Sequence, residues 1–398
     1  IVHAFPRVAR LALDDWHLEG LLMHLAMVVD ADTTTSSGPG LMLPDTSDRV
    51  AALAGALAER GHSTCIYTPT EAPAKPKRLL PDVTLRPIPL GEVNADREPA
   101  QFGDRLADEW RRRPPELTHV FGPRAGMAVA AARRDAPMPV VQDTRFDMPP
   151  GAGDGTAWTR LELALGRAAD RLVVSDTREA STYAAQGVSR TAIDIVPYAV
   201  DLKVFNPEGP APERAGEPRV GLLFDPADVD EMLALRSHLS DAEVMVLDTV
   251  GEPIEGVDEV VSVCGDVDPQ RLAERLRSLD LLVVGAAWAS AGAVCEEAMA
   301  CGVPLVVAGD ADTDEAVLDG VTGTVVQPGR PRQLLDAVRQ LLRDDVRRTA
   351  YGIAAADRAA SCFTLLRVAR DMENSYGTAV RVGRYSGRAV TGSYARRG

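Results

Sequence analysis

The stretch EEAMACGVPLVV, residues 296–307, together with DGVTGTVVQPG, residues 319–329, decides the fold of this chain. The first stretch closes an Ala-rich helix predicted over residues 293–300, and a Gly-Val-Pro break then leads into a short apolar strand, residues 304–307. The second stretch contains another short strand, residues 323–326, between two Gly-containing turns. A helix set between short buried strands indicates a parallel sheet with helices on its faces.

The same alternation extends from this stretch through most of the chain. In the second half, strands are predicted over residues 220–224, 243–247, 260–264 and 281–284, and helices over residues 270–278 and 332–343. In the first half, strands are predicted over residues 22–31, 63–68, 83–88, 117–121, 140–142, 171–175 and 194–196, and helices over residues 48–60, 101–113, 125–134 and 161–169. We therefore predict an α/β protein with two doubly wound, Rossmann-like domains.

A shift in composition marks the boundary between the two domains. The segment NPEGPAPERAGEP, which begins at Asn206, is rich in Pro, Glu and Gly and is typical of a linker. We predict an extension over residues 1–21, a first domain over 22–205, a second over 206–376, and a basic, disordered tail over 377–398. Ligands of such folds bind at the carboxyl ends of the strands, which here places them in a cleft between the domains.

Charge and hydropathy exclude several classes of protein. The chain of 398 residues has a net charge of −15, from 58 acidic and 43 basic residues, which argues against nucleic-acid binding because phosphate contacts need Lys and Arg in excess. The longest apolar runs fall well short of the ~20 residues that span a bilayer, so we expect no stable membrane insertion. Because no leader-like pattern opens the sequence, we expect a cytoplasmic protein.

The cysteines indicate neither a metal site nor a disulfide framework. None of the five forms a C-x-x-C pair, and no cluster of histidines accompanies them. We therefore expect no metal and reduced, buried thiols. The cysteines are Cys65, Cys264, Cys295, Cys301 and Cys362.

The two stretches quoted first resemble the second domain of the retaining glycosyltransferases of family 4, with the motifs E-A-M-A-x-G-x-P-V-V and D-G-x-T-G-x-L-V-x-P-G. Residues 170–207 are similar to the crossover between the domains of that family, and residues 50–69 and 263–281 also resemble its segments. The resemblance spans residues 22–376 in consistent order and is to the actinobacterial members of the family in particular. It implies the GT-B fold, a nucleotide-sugar donor of the UDP or GDP type as co-substrate, no other cofactor, and transfer with retention.

The resemblance also implies a set of donor-binding residues. Glu297 matches the carboxylate that holds the donor ribose, although a Glu at a helix start also stabilises the helix dipole. Ser290 and Gly292 match a loop that faces the phosphates, or they form a plain strand-to-helix turn. Gly38 and Gly40 are what remains of a Gly-Gly loop after the first strand.

Several positions depart from the family pattern. Ala289 replaces an acidic residue that contacts the sugar, Phe121 replaces a histidine, and Arg145 stands where a histidine is usual. An Arg and a Lys that clamp the diphosphate are missing after the first strand of the second domain. Acidic residues stand there instead, where they would repel a diphosphate: Asp225, Asp228, Asp230 and Glu231.

These departures leave more than one interpretation of function open. In the first, the protein is an active glycosyltransferase in which Arg124, Arg145 and Arg330 replace the missing cations, while His119 or Asp143 orients the acceptor. The acceptor is then a small molecule, and a thiol or a secondary-metabolite intermediate fits because a thiolate needs no base. The alternatives are an inactive pseudo-glycosyltransferase that serves as scaffold or regulator, and a sugar- or nucleotide-binding protein without turnover. A homodimer is left open in each case.

Overall fold

The computed structural model describes residues 22–30, 46–94, 96–144, 156–212, 216–224, 228–248, 259–262, 268–285, 293–309 and 316–385. Two sheets organise these residues, one mostly parallel and one parallel, and each has helices on both faces. The predicted fold class, two Rossmann-like α/β domains, is confirmed.

The first domain is built on an eight-stranded sheet with the order β3-β4-β2-β1-β5-β6-β7-β8. All neighbours are parallel except β3 and β4, which form an antiparallel pair at one edge. The strands are β1 (His24–Val29), β2 (Ser63–Thr70), β3 (Lys77–Leu80), β4 (Val83–Pro89), β5 (Leu117–Phe121), β6 (Val140–Asp143), β7 (Arg171–Val174) and β8 (Ile193–Ile195).

Helices cover both faces of this first sheet because the strands are apolar on both sides. In β1, Leu25, Met27 and Val29 pack on one face, and Ala26 and Val28 pack on the other. Burial on both faces explains why the strand is a continuous apolar run rather than an alternating one. The helices of this part of the chain are α1 (Thr46–Glu59), α2 (Glu98–Arg112), α3 (Pro123–Ala132), α4 (Thr156–Ala168) and α5 (Thr177–Ala185).

The second domain is built on a six-stranded parallel sheet with the order β11-β10-β9-β12-β13-β14. Its strands are β9 (Arg219–Leu223), β10 (Glu243–Asp248), β11 (Glu259–Ser262), β12 (Leu281–Val284), β13 (Leu305–Ala308) and β14 (Gly323–Val326). Its helices are α6 (Val229–Ser237), α7 (Pro269–Arg277), α8 (Val294–Ala300), α9 (Pro331–Arg343) and α10 (Asp345–Cys362). The quoted stretch 296–307 thus forms most of α8, the turn after it and most of β13.

The last described helix, α11 (Leu365–Tyr385), returns to the first domain. Tyr376, Ala379 and Val380 are buried in the same core as β1 and α1. The structure therefore differs from the predicted boundaries, which assigned residues 206–376 to the second domain and a disordered tail to residues from 377 onwards. The apolar positions repeat at helical spacing, and their burial holds the helix together well past Gly377.

Two further findings concern the described residues as a whole. Their helices include none with the length and apolar character required to cross a bilayer. Their cysteines are free thiols, and three of these are buried: Cys65, Cys295 and Cys301.

Candidate active site

The first turn of α1 in the first domain contacts the first turn of α8 in the second domain. An ion pair joins the two helices there, because Arg49 Nη2 donates to Glu297 Oε1 at 3.1 Å. The side chain of Arg49 is 20% exposed, whereas that of Glu297 is only 5% exposed. The contact brings a predicted donor-binding residue of the second domain against the first domain.

Glu297 is buried with only half of its carboxylate satisfied. Oε1 accepts from Arg49, but Oε2 has no hydrogen-bonding partner among the described residues. Burial raises the pKa of Glu297, and the nearby Arg49 offsets part of that rise. A buried carboxylate oxygen without a donor is costly, so this atom is a ready acceptor for a ligand hydroxyl.

Glu296, the preceding residue, forms a second buried carboxylate that the sequence analysis did not single out. Its Oε2 also lacks a partner within the described ranges. Burial raises the pKa of Glu296 to about 8, and the negative charges of Glu297 and Asp176 contribute to that rise. Asp176 caps α5 in the first domain by accepting from the backbone N–H of Glu179. Glu296 therefore lies close enough to the first domain for a charge there to raise its pKa.

On the first domain, Asp30 fills the N-terminus of α3. It follows β1 directly, and its carboxylate accepts a hydrogen bond from the backbone N–H of Ala125. Burial raises the pKa of Asp30 to about 7, against the lowering effect of that hydrogen bond and of the Arg124 charge. Gly122, at φ 88° and ψ 160°, permits this arrangement, since a Cβ there would lie 2.6 Å from Asp30 Oδ2.

Arg124, a predicted cation for the diphosphate, lies beside this cap. Its Nη2 donates to Glu98 Oε2 at 3.1 Å, and its side chain is largely buried. The positive charge of Arg124 is thus shared with Glu98 and Asp30. Donor binding by Arg124 stays a prediction, and this ion pair weakens the case for it.

His119 and Asp143, the predicted acceptor-orienting residues, form a fully buried chain of hydrogen bonds. His119 Nε2 lies 3.2 Å from Asp143 Oδ2, and the hydroxyl of Tyr376 lies 2.9 Å from His119 Nδ1. The side chains of His119 and Asp143 have no exposed surface. The structure brings them together beneath Tyr376 of α11 and away from solvent, which favours a structural role, while a role with the acceptor stays a prediction.

Three of the four acidic residues that replace the family's clamp lie at the start of α6. Asp228 is the residue before this helix, and Asp230 and Glu231 are in its first turn. Negative charges stabilise a helix at this end, which accounts for them without a ligand. Arg330, another predicted cation, is the exposed residue before α9, and its side chain makes no capping hydrogen bond.

Other predicted positions lie outside the described residues. These positions are Gly38, Gly40, Arg145, Asp225, Ala289, Ser290 and Gly292. Within the described part of the chain, no group of three or more His, Cys, Asp or Glu side chains is arranged to hold a metal ion.

Two family models match the two domains in order. The model described as "Glycosyl transferase 4-like domain" matches residues 46–199, and the model described as "Glycosyl transferases group 1" matches residues 255–358. Together they cover more than half of the chain. The chain belongs to the GT-B glycosyltransferases of family 4. This confirms the resemblance on which the sequence analysis relied and makes the protein an enzyme that transfers sugars.

Named relatives agree with this assignment. The chain is 28% identical to D-inositol 3-phosphate glycosyltransferase 1 of Catenulispora acidiphila, over 76% of this chain and 83% of that protein. It is 33% identical to D-inositol 3-phosphate glycosyltransferase of Xylanimonas cellulosilytica, over 49% of this chain and 53% of that protein.

Solved structures support the fold of this glycosyltransferase. A sucrose-phosphate synthase from Thermosynechococcus elongatus superimposes with a TM-score of 0.70 at 19% identity, covering 89% of this chain and 98% of its own. The Anabaena protein HepE in complex with UDP-glucose gives a TM-score of 0.62 at 14% identity, covering 89% of this chain and 100% of its own. At these identities the likeness concerns the fold alone.

Proposed function

We propose that this glycosyltransferase takes a sugar from a nucleotide-diphosphate donor of the UDP or GDP type and transfers it, with retention, to a small-molecule acceptor. The observation that carries the proposal is the Glu297 carboxylate, buried at the start of α8 with Oε2 unpartnered among the described residues. In the proposal this oxygen accepts a hydrogen bond from the donor ribose.

The chemistry of Glu297 fits a ribose diol. A ribose offers two adjacent hydroxyl donors, and an ionised carboxylate is an acceptor at both oxygens. Arg49 favours the ionised form, since its charge lowers the pKa of Glu297 against the effect of burial. Hydrogen bonds to a charged acceptor are worth about 1.5–3 kcal/mol each, enough to anchor a nucleotide.

In the proposed reaction the leaving diphosphate accepts the proton of the acceptor. The glycosidic C–O bond to the diphosphate breaks, a bond from the acceptor O or S to the same carbon forms, and the acceptor proton passes to a phosphate oxygen. Retention requires attack on the face from which the diphosphate leaves, so the departing oxygen lies near that proton. Ser290 and Gly292 remain our candidates for contacts with the phosphates.

The first domain favours an acceptor without a phosphate group. The relatives named above act on D-inositol 3-phosphate by name, which makes inositol 3-phosphate the first acceptor to compare. In this chain, however, Asp30 already fills the N-terminus of α3, a place that commonly binds phosphate. Arg124 beside it is paired with Glu98. We therefore propose an uncharged alcohol or a thiol.

The donor part of the proposal is tested by titrating the protein with UDP and GDP in a calorimeter. One of the two is expected to bind in the micromolar range, and Glu297→Ala to weaken binding by roughly 10- to 100-fold. Glu208→Ala, which removes an exposed carboxylate on the linker, is the matched control and should leave the affinity unchanged. Absence of binding to the wild-type protein would sink the proposal.

The acceptor part is tested by product analysis with the matching nucleotide sugar. Three acceptors are tested in parallel: inositol, inositol 3-phosphate and a low-molecular-weight thiol. We expect a product whose anomeric carbon has the same configuration as in the donor. Transfer to inositol 3-phosphate alone would contradict the uncharged acceptor. Nucleotide binding without any transfer across a wide panel would favour the scaffold over the transferase.

A further inference from the structure

We propose that Arg49, on the first domain, is the cation that meets the diphosphate of the donor. This inference rests on the proposed function and assigns a cation to the first domain, because the start of α6 in the second domain presents Asp230 and Glu231 instead. Arg49 was not singled out from the sequence.

The charge of Glu297 requires a cation beside it if a diphosphate is to bind there. Glu297 is buried at the start of α8 next to Glu296, whose pKa is raised by burial and by the charges of Glu297 and Asp176. A diphosphate that approaches the ionised Glu297 is repelled unless a positive charge lies beside that carboxylate. Arg49 is in direct contact with Glu297 and also counteracts part of the rise in the pKa of Glu296.

The guanidinium of Arg49 has donors to spare. A guanidinium carries five N–H groups in a planar fork, and toward the described residues that of Arg49 makes a single hydrogen bond, through Nη2 to Glu297. Its side chain is also partly exposed, unlike that of Glu297. The unused N–H groups match phosphate oxygens, which guanidinium groups bind strongly and often in pairs.

The two roles of Arg49 are compatible in one geometry. By holding Oε1 of Glu297, Arg49 fixes the carboxylate and leaves Oε2 for a ribose hydroxyl. Ribose and diphosphate are adjacent in every nucleotide, so an Arg next to the ribose acceptor is near the phosphates. Elsewhere in the second domain, the first turn of α6 presents the acidic residues Asp230 and Glu231.

The test compares a nucleoside with its diphosphate. Dissociation constants for uridine and UDP, and for guanosine and GDP, are measured with wild type, Arg49→Ala, Arg49→Lys and Glu297→Ala. We expect the ratio of the nucleoside constant to the diphosphate constant to fall roughly 10-fold or more in Arg49→Ala and less in Arg49→Lys. In Glu297→Ala both constants should rise together, with a much smaller change in the ratio.

Arg60→Ala is the matched control, since Arg60 lies at the end of α1 and pairs with Glu373 instead. It should leave both constants unchanged. If Arg49→Ala binds nucleotides normally and keeps the wild-type ratio, the assignment of Arg49 is overturned and the proposed function stands. Failure of the wild-type protein to bind any of the four compounds overturns the proposed function and this inference with it. Retained uridine or guanosine binding and a cooperative thermal transition show that Arg49→Ala is folded.

Discussion

The two domains bury carboxylates in different ways. In the first domain, Asp30 accepts from a helix N-terminus and Asp143 is hydrogen-bonded to His119. In the second domain, Glu296 and Glu297 each keep one buried oxygen without a partner among the described residues. A satisfied buried carboxylate holds a fold together, whereas an unsatisfied one destabilises it by about 1–3 kcal/mol or more. The second domain is therefore the one prepared for a ligand.

The largest loss of stability is expected when a hydrogen-bonded buried carboxylate of the first domain is removed. Asp143→Ala leaves His119 Nε2 buried without its carboxylate partner, and removing one member of a buried pair costs about 3–5 kcal/mol. Urea denaturation should show this loss in the free energy of unfolding. Nucleotide affinity, measured at urea concentrations below the unfolding transition, should stay normal. Loss of transfer at wild-type stability would instead give Asp143 a direct role with the acceptor.

Glu296 provides the opposite case, in which removing a carboxylate stabilises the protein. Its pKa is raised from 4.5 to about 8 by burial, so the folded state holds the proton to a higher pH than the unfolded state does. The contribution of the Glu296 proton to the stability of the wild type is then fully present below pH 4.5 and is lost as the pH rises to about 8. Glu296→Gln cannot ionise and escapes this decline.

The corresponding measurement is thermal unfolding of both proteins from pH 4.5 to pH 8.5. The advantage of Glu296→Gln should be small at the acidic end and grow to a few kcal/mol at the basic end. A constant difference across the range would mean that Glu296 is not protonated in the folded protein at neutral pH.

A smaller effect is expected from the glycine that lets Asp30 cap α3. In Gly122→Ala the new Cβ would lie 2.6 Å from Asp30 Oδ2, in a backbone conformation with positive φ. Gly320→Ala is the control, because its φ is also positive but no atom lies within 4 Å of the added Cβ. We expect Gly122→Ala to cost about 1–2 kcal/mol more than Gly320→Ala in chemical denaturation. Equal costs would show that the cap is not tightly packed.

Buried apolar strands were the most predictable part of the fold. The bounds of β5, β12 and β14 agree with the sequence analysis residue for residue, since short apolar runs between turns define them. The strand β3 was missed because KRLL lies exposed at a sheet edge and shows no apolar pattern. The helix α11 was missed because Gly and Arg in its composition mask the apolar positions at helical spacing.

The site was less predictable because its contacts join distant parts of the chain. Glu297 was found from its motif, but Arg49 lies 248 residues away, and no spacing rule links the two. Likewise, His119 and Asp143 were singled out for a role with the acceptor because they lie in segments that resemble motifs of the family. Their burial depends on Tyr376 and on the return of α11, which the sequence analysis did not predict.

In our proposal, the Glu297 carboxylate lowers the stability of the free protein and binds the nucleotide, and one comparison tests both effects. Thermal unfolding of wild type and Glu297→Gln is followed with and without saturating UDP or GDP. We predict that Glu297→Gln is at least as stable as wild type without nucleotide, and that wild type gains about 2–4 °C more than the variant when the same concentration of nucleotide is added. A variant that is less stable than wild type and still gains the full shift would contradict the account.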